Sequence, residues 1–323
     1  MTKAIVVVAH GGPEVLEYQD WPVGEPGPGQ LRIRQHAIGV NFVDVYQRTG
    51  LYPTNPPFVA GNEGAGEVIA IGEGVTEFKP GDRVVYQGTP GAYAEERLMP
   101  AAKAVPLPAG ISFEQGAAIM LKGGTAYYLL HRTFAVKPGQ TILFHAAAGG
   151  VGLIACQWAK AIGATVIGTA GSDEKLALAR ANGCDHAINY RTENFAERVK
   201  EITDGKGVDV VYDGNGQATF EASLDCLKPL GMMVSYGNAS GPVSIPDLGI
   251  LARKGSLFLT RPTTAAYFAR REDLLEGAAS LFAAVEAGTV KVHIGQRFPL
   301  KDAAEAHRAL EGRKTVGSTV LLP

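Results

Sequence analysis

From residue 141 onward, short apolar runs alternate with stretches whose apolar residues recur every three to four positions, the signature of strand and helix in turn. The runs predict strands at 141–144, 165–169, 187–189, 208–212 and 232–235. Between them lie predicted helices, from the turn after Phe144 to Ile162, then at 173–182, 195–202 and 219–227. The first of these presents Val151, Ile154, Ala155, Trp158, Ala159 and Ile162 on one face. Such alternation implies an α/β fold with a doubly wound parallel sheet covered by helices on both faces. Before about Pro108 the pattern is different. Residues 31–38 and 66–71 alternate like half-buried strands, punctuated by Pro- and Gly-rich turns at residues 11–13, 21–29 and 79–83. This part reads as a β-rich, barrel-like domain. From Ser112 a helix is expected, with Phe113, Ala117, Ala118 and Leu121 on one side. After about Thr264 come a long helix at 272–287 and a strand-poor tail that completes the first domain.

The turn after the strand at 141–144 carries the first chemistry. Ala146, Gly149 and Gly152 keep the spacing of a dinucleotide-binding turn. Residues without bulk let backbone N–H groups and a helix N-terminus approach a pyrophosphate. Strand before and helix after give this turn its context. The end of the second strand then discriminates between nucleotides. NAD sites place Asp or Glu there for the ribose hydroxyl. Here the run is Thr169-Ala170-Gly171-Ser172-Asp173-Glu174-Lys175. Gly171 leaves room and a backbone N–H, Ser172 can donate, and Lys175 reaches a phosphate from one turn into the helix. Asp173 and Glu174 oppose this reading unless they point outward. The expectation is NADPH.

Length and composition narrow the class. At 323 residues, two domains are expected. A hydrophobic fraction of 46% and a charged fraction of 19% are those of a soluble globular protein. No apolar run approaches the ~20 residues that span a bilayer, and the first residues lack the pattern of a signal peptide. Cys156, Cys184 and Cys226 are too few and too widely spaced for a disulfide framework or a metal cluster, which suits a cytoplasmic protein. A net charge of −2 and the lack of a basic, aromatic-interleaved patch argue against nucleic acid as a partner. A non-catalytic crystallin-like or RNA-binding role on the same fold is the reading from another class.

Together these motifs resemble the medium-chain dehydrogenase/reductase superfamily over nearly the whole chain. Gly61-Asn62-Glu63-Gly64-Ala65-Gly66-Glu67-Val68 and Lys79-Pro80-Gly81-Asp82-Arg83-Val84 are similar to its barrel segment. Residues 139–160 resemble the zeta-crystallin-like quinone oxidoreductases, as do Gly39-Val40-Asn41-Phe42-Val43-Asp44, Arg48-Thr49-Gly50-Leu51-Tyr52-Pro53 and Ser256-Leu257-Phe258-Leu259-Thr260-Arg261-Pro262. The resemblance implies a GroES-like catalytic domain at 1–124, completed by 265–323, and a Rossmann dinucleotide-binding domain at 125–264. It also implies a homodimer joined near Ser256.

Zinc members of the superfamily carry cysteine where this chain has Asn41 and histidine where it has Asn62. Amides are poor zinc ligands, and catalytic zinc takes about three thiolate, imidazole or carboxylate ligands. No metal is therefore expected, and hydride transfer without one suits an electron-poor acceptor: a quinone or, alternatively, an activated alkene such as an enone or enoyl thioester. By resemblance, Asn41 and Thr125 lie beside the nicotinamide, with Phe42, Asp44 and Tyr46 in the same wall and Tyr128 facing the cofactor. Gly149, Gly150 and Val151 meet the pyrophosphate, and Tyr190 joins Gly171, Ser172 and Lys175 at the phosphate. Asn215, Gly237, Asn238 and Ser240 border the ribose groups. For the quinone, Tyr46 and Tyr52 offer ring faces, Arg261 attracts developing charge, and Tyr52 is a candidate proton donor. His145 reads as a strand histidine bonded to backbone rather than as a catalyst.

Overall fold

The computed structural model describes the whole chain, Met1–Pro323. It divides into two units. One comprises Met1–Gly124, Phe268–Phe282 and Val292–Pro323; the other comprises Thr125–Tyr267 and Ala283–Lys291. The sequence reading assigned all of 265–323 to the first domain, whereas the contacts of Ala283–Lys291 group it with the second. No helix is long and apolar enough to cross a membrane.

The second unit is built on a six-stranded sheet. Its spatial order is His186–Asn189, Thr165–Ala170, Thr141–Phe144, Val208–Asp213, Leu227–Ser235 and Phe258–Thr260. Every neighbouring pair is parallel. Ile142, Leu143, Phe144, Val166, Ile167, Val210 and Val211 are buried, so these strands read as nearly unbroken apolar runs. Strand order reverses on either side of Thr141–Phe144, and ligands of such sheets bind outside the carboxyl ends of the strands at that point. The helix Gly150–Ile162 follows directly and ends at Gly163, whose φ of 95° closes it. Its buried side is broader than expected, because Leu153 and Cys156 join Ile154, Ala155, Trp158 and Ala159. The predicted helix at 219–227 is shorter, Gln217–Leu224, and the next strand begins early at Leu227. A bulge explains why sequence periodicity missed this: Val208 pairs Leu227 and Val210 pairs Met232, leaving Lys228–Gly231 unpaired.

In the first unit a seven-stranded sheet runs in the order Ile294–Pro299, Ser318–Leu322, Gln30–Val40, Glu63–Ile71, Arg83–Gln87 and Ala104–Pro106, with Glu96–Pro100 paired to Gln30–Val40. Leu16–Trp21, Thr2–Val7 and Phe58–Val59 form a second, three-stranded sheet. Leu31, Ile33, Ile38, Val68, Val84, Tyr86 and Met99 fill the core with Ala303, Ala306 and Leu321 from the C-terminal segment. Two expectations are corrected here. The tail is not strand-poor, since it contributes two sheet strands. Residues Phe42–Arg48 form a helix inside a stretch that read as strand and turn. Its buried residues are Asp44, Val45, Tyr46 and Arg48, two of them charged, so no apolar periodicity announced it.

Candidate active site

In the first unit the sequence candidates gather around the start of the helix Phe42–Arg48. The Asn41 backbone N–H donates to Asp44 Oδ2 at 2.8 Å, closing the helix start. The Asn41 side chain donates from Nδ2 to Glu63 Oε2, also at 2.8 Å. Glu63 is fully buried and receives two more donors, Leu121 N at 2.6 Å and Lys122 Nζ at 3.0 Å. Three donors thus converge on one carboxylate, with a buried ammonium among them. Asp44 accepts from Asn62 Nδ2 at 2.7 Å and from Tyr93 Oη at 2.9 Å. Burial pushes its carboxyl up to about 6, against the hydrogen bonds from Asn62, the Asn41 backbone and Tyr93 that pull it down.

Beside this polar knot stands an aromatic wall. Phe42 and Tyr46 have ring centroids 6.0 Å apart, Tyr46 and Tyr52 5.1 Å, and Tyr52 N donates to Tyr46 O at 2.9 Å. Five of the predicted residues, Asn41, Phe42, Asp44, Tyr46 and Tyr52, are therefore neighbours in one unit.

The second unit holds the rest in three groups. At the first strand's end, Ala146 takes a φ of 54°, turning the chain into Gly149 and the N-terminus of the 13-residue helix Gly150–Ile162. Four amides at such an end lack intrahelical partners, and the helix dipole favours an anion there. At the second strand's end, a Cβ on Gly171 would lie 2.6 Å from Tyr190 Oη and 3.2 Å from Arg191 Nε. Tyr190 and Arg191 thus pack closely against Gly171, and a side chain there would push on their polar ends. Ser172 caps the next helix by accepting from Lys175 N at 3.4 Å. Asp173 and Glu174 are both exposed, and Asp173 accepts from Asn189 Nδ2 at 3.1 Å.

The second group lies beyond the fourth and fifth strands. Asp213 accepts from Asn215 N at 2.7 Å, and Ser240 donates to Asn215 O from both its backbone N at 2.7 Å and its Oγ at 2.8 Å. Gly237 and Asn238 lie in the same loop, before Ser240. Tyr128 is the centre of the third. Its hydroxyl bonds Thr264 and Thr125, its ring stacks on Tyr267 at 4.5 Å, and burial raises its pKa to about 12. It opens a π-helical segment, Tyr128–Thr133, that continues the helix Phe113–Tyr127. Arg261 lies near this hydroxyl and donates from Nη1 to Ser235 O at 2.8 Å. It belongs to the second unit, unlike the other three catalytic candidates.

Comparison with known proteins places this geometry. Residues 27–109 match the alcohol dehydrogenase GroES-like domain, and residues 150–280 match the zinc-binding dehydrogenase family. A quinone oxidoreductase of Pseudomonas aeruginosa is 55% identical over the full length of both chains. The chain belongs to the quinone oxidoreductase family of the medium-chain dehydrogenase/reductases. The crystal structure of Escherichia coli quinone oxidoreductase complexed with NADPH superposes with a TM-score of 0.98 at 50% identity, covering 99% of this chain and all of that one. A 2-haloacrylate reductase from a Burkholderia species is 49% identical, covering all of this chain and 99% of its own length.

One of the matched families is zinc-binding, but the residues here do not fit zinc. Asn41 and Asn62 both spend their amide N–H groups on carboxylates, and Lys122 brings a positive charge to Glu63, one of the two buried acids there. Among the described residues no three His, Cys, Asp or Glu side chains are grouped as ligands. A fixed ammonium stands where a metal cation would need ligands.

The structure also gives roles that sequence reasoning missed. Lys122 is one of these, and its pairing with Glu63 across 59 positions left no local signal. Arg191 follows Tyr190 directly, and a cation two residues past the strand His186–Asn189 was a signal available to find it. His307 is buried between Arg48 Nη1 and Tyr93 Oη, each at 3.1 Å. His145 is buried as expected, but its partners are side-chain hydroxyls, Thr169 Oγ1 and Ser223 Oγ at 2.9 Å each, not backbone. Cys156 and Cys184, far apart in sequence, lie with Sγ atoms 3.7 Å apart as buried free thiols.

Proposed function

We propose that this chain is an NADPH-dependent quinone reductase that works without zinc, as a cytoplasmic homodimer. The observation that carries this reading is the buried Lys122–Glu63 pair, at 3.0 Å, amid amides where a carbonyl-polarising metal would require ligands. A site without a Lewis acid suits an acceptor that is already electron-poor. Bound NADPH supplies a hydride. The chain's residues do the rest. Gly149, Gly150 and Val151 offer amides to the pyrophosphate at the helix N-terminus. Gly171, Ser172, Lys175, Tyr190 and Arg191 hold the 2′-phosphate, and Asn215, Gly237, Asn238 and Ser240 border the riboses. Asn41, Phe42, Asp44, Thr125 and Tyr128 shape the nicotinamide's surroundings. Tyr46 and Tyr52 present ring faces to a planar quinone, Arg261 adds positive charge, and Tyr52 or solvent returns the proton.

Relatives named as quinone oxidoreductases at 52–55% identity support this reading. For the dimer, support comes from the edge strand Phe258–Thr260, where Phe258 is 56% exposed on an unpaired sheet edge. Three buried free thiols accord with a reducing compartment. The test is acceptor-dependent loss of NADPH absorbance with benzo- and naphthoquinones, run with NADH and with an enone in parallel, with and without a chelator. Oxidation with quinones that survives chelation supports the reading. No oxidation with any quinone, or stoichiometric zinc whose removal abolishes turnover, would refute it.

A further inference from the structure

Gln87 is 5% exposed, yet neither Nε2 nor Oε1 of its amide has a hydrogen-bond partner. Burying such a group unpaired forfeits its hydration without replacing it, so native proteins rarely leave both ends of an amide in this state. Its position gives the reason. Gln87 ends the strand Arg83–Gln87 and pairs directly with Glu63 on the antiparallel neighbour. Opposite residues of such a pair project to the same sheet face. Gln87 therefore shares a face with the carboxylate that anchors Asn41 and Lys122. The helix Phe113–Tyr127 leaves room for it: a Cβ on Gly124 would lie 2.7 Å from Gln87 Nε2 and 3.0 Å from Oε1.

We propose that Gln87 binds the acceptor, its Nε2–H donating to a quinone carbonyl oxygen. This rests on the quinone reductase reading above. The chemistry of the couple accounts for both orphaned atoms. In the overall step NADPH gives a hydride and solvent a proton, so a quinone becomes a hydroquinone and NADPH becomes NADP⁺. The quinone oxygen only accepts hydrogen bonds; the hydroquinone hydroxyl also donates. A carboxamide is a neutral side chain that serves both, through Nε2 before reduction and Oε1 after it. A carboxylate or an ammonium serves only one.

The test replaces Gln87 with Met and with Leu, and measures quinone kcat/KM, inhibition by the hydroquinone, NADPH affinity by fluorescence, and melting temperature of the free protein. As the acceptor oxygen gains charge during hydride arrival, kcat/KM should fall about 10- to 150-fold, the worth of a hydrogen bond to a charged group. Hydroquinone inhibition should weaken, NADPH affinity should stay within about twofold, and the melting temperature should rise as the unpaired amide is removed. Gly124→Ala, which pushes on the Gln87 amide, should reproduce the kinetic loss. Unchanged quinone kinetics in Gln87→Met overturns the proposal, and so does an equal loss of NADPH affinity. Failure of the wild-type protein to reduce any quinone would refute the function itself, a different result from a wild-type enzyme indifferent to Gln87.

Discussion

Replacing His307 with Gln should change how stability responds to acid, because the ring is held neutral by its neighbours. Arg48 can only donate, so its contact at 3.1 Å makes His307 Nδ1 an acceptor. The ring proton then sits on Nε2, 3.1 Å from Tyr93 Oη, and Tyr93 gives its own proton to Asp44 Oδ2 at 2.9 Å. A second ring proton would point at a guanidinium that Glu311 already engages at 2.8 Å. Burial first, and then the Arg48 charge, push His307 down to about 3. An unfolded histidine titrates near 6.5, so acid favours the unfolded chain from about 6.5 downward until the folded ring also protonates near 3. The loss is about 2 kcal/mol at roughly pH 5 and about 5 kcal/mol in full.

Asp44 acts in the opposite direction. Its folded carboxyl, raised to about 6 by burial, protonates before the unfolded one does. Acidification thus relieves a cost, by about 1.4 kcal/mol at roughly pH 5 and about 3 kcal/mol in full. In the wild-type protein the two shares nearly cancel over this range. His307→Gln keeps an Nε2 donor toward Tyr93 but cannot titrate, leaving only the share of Asp44. Denaturant midpoints followed by tryptophan fluorescence should show the variant less stable at about pH 8, yet gaining about 2 kcal/mol on the wild type by about pH 5. Parallel stability curves across that range would refute the neutral, Arg48-facing ring.

Lys122→Met should leave the Glu63 carboxylate buried without its cation, at a cost of about 3–5 kcal/mol in denaturant melts, and adding Glu63→Gln should recover much of it. Gly171→Asp should weaken NADPH binding by about a thousandfold, since a charge pair at about 4 Å repels by about 4 kcal/mol at an effective dielectric near 20. Its carboxylate would also crowd Tyr190, so NADH affinity measured in the same titration should fall far less. For the homodimer proposed above, Phe258→Asp on the exposed sheet edge should shift sedimentation toward monomer, with the melting temperature of the unit little changed, and a wild-type protein that sediments as a monomer would refute that proposal.

Much of the second unit was legible because its sheet is covered on both faces. Strands such as Thr141–Phe144 and Val208–Asp213 are then apolar through most of their length, with polar residues near their ends. That pattern is local, so periodicity reads it. The turn at Ala146–Gly152 and the glycine at 171 are local as well, so a nucleotide-binding turn could be proposed from the sequence alone. The first unit obeys a different rule. The helix Phe42–Arg48 buries Asp44 and Arg48, and those charges are satisfied by Asn62, Tyr93, His307 and Glu311. Arg48 and His307 stand 259 positions apart, Arg48 and Glu311 263, and Lys122 and Glu63 59. No window of sequence contains both members of any such pair.

The consequence reaches the chemistry. Where zinc relatives would fix an acceptor with a metal, this chain fixes Asn41 through Glu63 and Lys122, and leaves Gln87 beside them with both amide atoms unspent. A buried polar residue reads in sequence as a break in an apolar strand, and its meaning depends on whether its partners are present. For Glu63 they are protein groups. For Gln87 no protein group fills the role, which is the ground for proposing it as a ligand-binding position. The residues that periodicity treats as defects in the barrel are thus the ones that define what the barrel can bind.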